Sequence, residues 1–241
     1  MKKRILSLLL AVCCLAGIAE ARTFVLSIGI SNYANPSVNN LPMSSKGALR
    51  FRDAMLQQTK DVTTLTSANA TTANIMQKLS AICNRAQKED RIVMYFNGHG
   101  DTGGLLTFDG FLKYKEIADQ LDKSKANLKF VVIEACHSGS AKDAGISNRN
   151  NQVWMVASRA DEYSWQGAVA DNSYFTLAVL KGLRGKADFN ADKQVTVLEL
   201  FKYAYNDVVN RKGKNVKPDE AQHPQLIAPK TQHNRVLMKY K

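Results

Sequence analysis

The 241 residues suit one domain of ordinary to large size, or two small ones, and can bury a sizeable core. A hydrophobic content of 45% with 22% charged residues excludes a disordered or collagen-like chain, and four cysteines exclude a disulfide-dense mini-scaffold. The formal net charge is +12, but the basic residues are scattered apart from loose clusters at 211–217 and the C-terminus. Without zinc-finger or RNP-like spacing they read as a solvated basic face and not as a specific nucleic-acid site.

Met1-Lys2-Lys3-Arg4 is a positive n-region, residues 5–18 are apolar but for Ser7, and Ala19-Glu20-Ala21 is a small-residue cleavage site. Residues 1–21 therefore read as a secretory signal peptide. The run falls short of the ~20 apolar residues a membrane helix needs. A lipoprotein cut before Cys13 is disfavoured by the bulky Val12. The expectation is a secreted or periplasmic protein with no membrane span once the signal is removed. Cys83 and Cys136 remain, either as one disulfide or as one core thiol and one working thiol.

Residues 23–30 read as a buried strand, 46–58 as a helix and 62–66 as a short strand. A helix follows at 71–87, then a strand at 91–96 that ends in a glycine turn, a helix at 114–121 and a strand at 128–135. Residues 138–152 are poor in apolar side chains and read as an exposed loop. A strand at 152–158 and helices at 172–183 and 197–209 complete the chain. This alternation argues for an α/β domain over 22–241, a parallel sheet covered on both faces, with a C-terminal helical part over 172–241.

Sites in open α/β sheets form at the carboxyl ends of the strands. One strand here runs into Asn97-Gly98-His99-Gly100-Asp101, another into Glu134-Ala135-Cys136-His137-Ser138-Gly139-Ser140. Neighbouring parallel strands would bring His99 and Cys136 to one rim, where the imidazole can help form a thiolate and then protonate a leaving amine. The N–H groups of Gly100 and Cys136 are candidates for an oxyanion hole. A lone His or Cys at a strand end is usually structural, but the pair in two glycine turns points to catalysis. His137 directly follows the nucleophile, so its side chain should point away.

Strand–Gly98-His99-Gly100 followed by strand–Glu134-Ala135-Cys136-His137-Ser138-Gly139 resembles the caspase/metacaspase superfamily of cysteine peptidases, with features similar to legumains and clostripain-like enzymes. Ile28-Gly29-Ile30-Ser31-Asn32-Tyr33, Ala157-Ser158, Tyr163-Ser164-Trp165 and Gln222-His223-Pro224-Gln225 resemble further family segments. The resemblance implies a single caspase-like domain with a mostly parallel six-stranded sheet and helices on both faces. It also implies a peptide or protein substrate, and no cofactor is required. It departs from animal caspases at Glu134, where they carry Gln. No Arg lies in 41–47 and Gln166 follows Trp165, so both arginines that hold a substrate aspartate in caspases are missing.

By its family position Glu134 lies at the primary specificity pocket, where a carboxylate favours cleavage after Arg or Lys. Asp161 or Glu162 could add a second charge, and Ser158 and Trp165 belong to the segment expected to flank the substrate. Asn is the second choice, because legumain-like enzymes combine an equivalent Glu with other groups. An inactive scaffold that binds a partner is the chief rival, and the intact dyad argues against it. Lys142 and Arg149 are candidate self-cleavage sites in the exposed loop. Finally, Asp188, Asn190, Asp192, Gln194 and Glu199 have the spacing of an EF-hand calcium loop, with Lys193 where glycine is wanted. Calcium is a possible ligand there, or Thr196 simply caps the next helix.

Overall fold

The computed structural model describes residues 21–165, 172–211 and 220–240. All but the last residue of the expected signal peptide, Gln166, and the basic residues 212–217 lie outside them. In chain order the main sheet takes β1 (Thr23–Gly29), β2 (Val62–Thr66), β3 (Arg91–Asn97), β7 (Leu128–Glu134), β8 (Gln152–Val156) and β10 (Gln225–Ile227). In space the order is β10-β8-β7-β3-β1-β2. The first five strands run parallel and β10 closes one edge antiparallel to β8.

β1, β7 and β8 are buried along their whole length, as strands covered on both faces must be. Successive residues feed opposite layers. Phe24, Leu26 and Ile28 of β1, with Met94, Phe96, Val131 and Ile133, pack on α2 (Thr72–Arg85) and α3 (Tyr114–Asp122) through Ile75, Leu79, Ile117 and Leu121. Val25, Val93, Tyr95, Phe130 and Val132 face α1 (Pro42–Met55), α4 (Tyr174–Lys181) and α5 (Val197–Arg211) through Phe51, Phe175, Val179, Leu200 and Ala204. Phe51 stacks on Tyr95 at a centroid distance of 4.4 Å, a geometry worth about 0.5–1.5 kcal/mol beyond burial.

Several boundaries differ from the sequence reading. α1 begins at Pro42 instead of residue 46, because proline's fixed φ and missing N–H suit the first helical turn. β8 stops at Val156 instead of 158. The segment 138–152 is not exposed throughout: Ser138–Ala144 forms a 3-10 helix, and Ser138, Gly139, Ser140, Ala141, Ile146 and Gln152 are buried. The C-terminal part is not purely helical. It supplies β10 and an antiparallel pair, β9 (Gln194–Thr196) with β11 (Val236–Lys239). After His99 the chain also makes a small sheet of β4 (Gly100–Asp101), β5 (Gly104–Leu106) and β6 (Phe111–Lys113).

Candidate active site

The register of β3 on β7 pairs Asn97 with Glu134, and the Gly98 N–H continues the pairing onto the Glu134 carbonyl at 3.1 Å. His99 and Cys136 each lie two residues past that pair, so both emerge on one rim of the sheet. They border the same cleft of about 460 Å3 together with Gly100, Asp101 and Tyr163. They also border a smaller pocket of about 90 Å3 that includes Asn97, Glu134, Ser164 and Ser173. Gly100 cannot be larger: a Cβ there would meet the Cys136 carbonyl oxygen at 2.7 Å and the Ala135 Cβ at 2.8 Å. The absence of a side chain lets the histidine loop lie against the cysteine loop.

His99 is oriented from two directions. Its N–H donates to the Tyr33 hydroxyl at 2.8 Å, and the two rings lie 5.1 Å apart. Its Nε2 lies 2.7 Å from the Asn39 carbonyl oxygen. A carbonyl only accepts, so Nε2 carries a proton, and Nδ1 is the nitrogen that the neutral ring offers as a base. Burial pushes the Tyr33 hydroxyl up to about 12, so it stays neutral.

The Cys136 thiol faces Ser164, whose N–H donates to Sγ at 3.4 Å and whose carbonyl lies 3.8 Å away. Burial raises its pKa above the ordinary cysteine value, Glu134 adds to the rise, and the Ser164 N–H opposes it. Both cysteines are free, which removes the disulfide alternative. Cys83 is a core residue whose thiol burial pushes up to about 11.

Glu134 is buried at the floor of the smaller pocket. Its carboxyl accepts from the hydroxyls of Ser164 and Ser173, from the Thr176 N–H at 2.9 Å and from the Thr176 hydroxyl at 3.1 Å. Burial raises its pKa, and these neutral donors offset part of that rise. Ser173 and Thr176 open α4 and were not read from the sequence. No local pattern marks them: Ser173 stands at the N-cap but makes no cap bond, and its hydroxyl donates to Glu134 instead. Asn39 gave no signal, because it acts only through its backbone.

The other expected substrate residues sit elsewhere. Ser158 is fully buried and ties the cysteine loop through Ser138 and the Ala135 carbonyl. Asp161 is exposed and lines neither pocket. Glu162 is not a pocket carboxylate: His223 Nδ1 meets its Oε1 at 2.5 Å and the His223 N–H donates to Oε2 at 2.7 Å. Trp165 also lines neither pocket; its N–H donates to Gln222. His137 was expected to point away, yet it borders the same cleft as His99 and Cys136; it takes a left-handed φ of 56°, and its ring is held by the Ala160 carbonyl at 3.0 Å and by the Tyr163 ring.

Lys142 is exposed, whereas Arg149 is clamped between Asp119 at 2.7 Å and Asp122. In the 188–199 segment the oxygens serve the loop itself. Asp188 accepts from the Asp192 and Lys193 N–H groups, and Asn190 also accepts from the Asp192 N–H. Asp192 accepts from the Gln194 N–H, and Glu199 bonds Thr196 in a helix cap. Among the described residues no group of three or more His, Cys, Asp or Glu side chains converges to hold a metal, and no helix is long and apolar enough to cross a membrane.

A family model described as the caspase domain matches residues 22–234. The chain belongs to this family, whose members are cysteine peptidases acting on peptides and proteins. The crystal structure of protein GSU0716 from Geobacter sulfurreducens superposes with a TM-score of 0.68 at 17% identity, over 89% of this chain and 97% of that one. Caspase-1 from Spodoptera frugiperda gives 0.67 at 15% identity, over 87% and 90%. These likenesses establish the α/β caspase-like fold. A search of the curated proteins finds no match.

Proposed function

We propose that the protein is an exported cysteine endopeptidase that uses His99 and Cys136 as its dyad and cuts after Arg or Lys. The observation that carries the reading is the shared cleft: imidazole and thiol border it together, with the Nε2 proton held by Asn39 and Nδ1 left as the base. Nδ1 takes the thiol proton as Sγ attacks the scissile carbonyl carbon. The oxyanion falls to the N–H groups of Gly100 and Cys136, each such donor being worth about 2.7–4 kcal/mol. His99 then protonates the departing amine, leaving a thioester. Water, deprotonated by His99, attacks the thioester, and the thiolate leaves and regains its proton.

Because burial keeps the resting thiol protonated, the base acts during attack and not beforehand. Glu134 supports a basic side chain before the scissile bond. Its partners are neutral donors, so a substrate cation reaching the pocket would favour the ionised carboxylate against the burial that raises its pKa. The hydroxyls of Ser164 and Ser173 in the same pocket also suit a carboxamide, which keeps Asn as the second reading. The signal-like segment 1–21 supports a secreted or periplasmic location. Self-cleavage is proposed at exposed Lys142 ahead of the clamped Arg149.

The experiment is turnover of fluorogenic peptide amides that vary in the residue before the bond. Arg and Lys peptides should be cut, and Cys136→Ala or His99→Ala should lower the rate by on the order of 10³-fold or more. Turnover of Asp peptides alone would defeat the pocket reading. A folded protein whose Cys136 never reacts with an arginyl chloromethyl ketone would be a binding scaffold instead.

A further inference from the structure

The smaller pocket and the wider cleft both border the reacting pair, and His99 and Cys136 are the only described residues that line both. Ser164 and Glu134 border only the former, and Asp101 and Tyr163 only the latter. Val38 and Leu106 border the wider cleft and also a separate cavity of about 210 Å3, which is walled by Tyr33 and Phe108 and edged by exposed Asp109. The two spaces therefore adjoin at Val38 and Leu106. Tyr33 measures how far the cavity lies from the chemistry, since its hydroxyl bonds the His99 N–H while the residue lines the cavity. The reacting pair borders the cleft, and the cavity adjoins the cleft without bordering the pair, so the first residue after the bond falls to the cleft and the second is the first that can enter the cavity.

Peptide direction follows from the proton. The side chain before the scissile bond lies with Glu134, and His99 protonates the leaving amine. The residues after the bond must therefore pass His99 and Gly100 into the cleft beside Asp101, and then reach the cavity. Among the described residues the carboxylates bordering these two spaces are Asp101 and Asp109, and no Lys or Arg borders either, in a chain of net charge +12. Asp109 is fixed in place: its Oδ1 accepts from the Thr72 N–H at 2.9 Å and from the Thr107 hydroxyl at 3.2 Å. The Thr72 amide holds its carboxyl below the usual range, so it is ionised.

We propose that this cavity is a leaving-group-side subsite that takes an arginine or lysine side chain from the second residue after the scissile bond. Its methylene stem would lie against Val38, Leu106 and Phe108, and its cationic head would reach Asp109. The proposal rests on the peptidase reading of His99 and Cys136. It adds a substrate requirement on the side of the bond that Glu134 does not govern.

The test uses internally quenched peptides with Arg before the bond and Arg, Gly or Glu at the second position after it. Mass spectrometry locates each cut, so cleavage after the added Arg is scored separately. The expected kcat/KM ratio of Arg to Glu peptides is about tenfold or more, with Gly between, falling to about threefold or less in Asp109→Asn. Because this is a ratio within one enzyme preparation, it does not depend on the active fraction. If Asp109→Asn does not fold, Val38→Trp, which fills the junction of the two spaces, should collapse the ratio in the same way. Cysteine-dependent cleavage with a wild-type ratio below twofold overturns this inference and leaves the peptidase reading standing. A ratio that persists in the folded variant does the same. Failure to cut any of the peptides overturns both.

Discussion

At the scale of single residues, Cys136 occupies surroundings that oppose its ionisation. It is partly buried, and the Glu134 carboxyl two residues away pushes its pKa in the same direction as burial. Without substrate its thiolate should therefore appear only above the ordinary cysteine range. The rate of Cys136 alkylation by iodoacetamide, followed by mass spectrometry, should keep rising past pH 9. Glu134→Gln should move that curve to lower pH, because it removes a neighbouring negative charge. A rate already flat from about pH 6 upward would mean a preformed thiolate–imidazolium pair. Cys83, buried in the core, should stay unlabelled throughout. The meeting of His99 and Cys136 on one rim was legible in the sequence, because each follows the end of a buried strand in a glycine turn. Asn39 was not, since any residue has a carbonyl. Glu162 was misplaced because its partner, His223, is remote in the chain and no local pattern joins them.

At the scale of elements, the long strands could be read because burial on both faces gives continuous apolar runs. β4, β5, β6 and β10 are two or three residues each, too short for any period to show. The segment 138–152 looked like a free loop because its anchors are not apolar side chains alone. Arg149 reaches Asp119 and Asp122 on α3, and Gln152 reaches Asp122 and the Ala118 carbonyl at 2.9 Å. Since Asp119 and Asp122 are 43% and 42% exposed, solvent screens the clamp, and its loss should cost only about 1 kcal/mol. Arg149→Ala should accordingly lower Tm by about 2–4 °C. It should also raise the rate of trypsin cleavage after Lys142 severalfold, because that exposed lysine follows the part of the turn that Ser138, Gly139, Ser140 and Ala141 bury. An unchanged cleavage rate at Lys142 would show that those buried residues alone hold the segment.

Across the whole molecule, the cleft and the smaller pocket draw on segments spread from Val38 to Ser173, and the C-terminal stretch reaches one of their lining residues, Ser164, through Gln222. Gln222 enters just before β10 and is buried. Its Nε2 donates to the Ala157 carbonyl at 3.0 Å and to the Ser164 hydroxyl at 3.3 Å, while its Oε1 accepts the Trp165 N–H at 3.2 Å. One carboxamide thus joins the end of β8 to the residue whose backbone faces the thiol and whose hydroxyl bonds Glu134. His223 grips the same segment through Glu162, whose carbonyl accepts the His137 N–H. Gln222→Ala would take its side-chain donor from the buried Ala157 carbonyl, at about 1–3 kcal/mol if water cannot replace it, and one bond each from the part-buried Ser164 hydroxyl and Trp165 N–H. The cost to function should exceed the cost to the fold, because Ser164 shapes both the small pocket and the setting of Sγ. We expect kcat/KM on Arg peptides to fall at least tenfold, with KM rising as well as kcat falling, while the circular dichroism spectrum stays native. His223→Ala should act in the same direction but more weakly, since Glu162 also bonds the Arg159 N–H at 3.1 Å. A folded Gln222→Ala protein with kcat/KM within twofold of the parent would show that Ser164 is held by its own loop, and that the C-terminal stretch only completes the sheet.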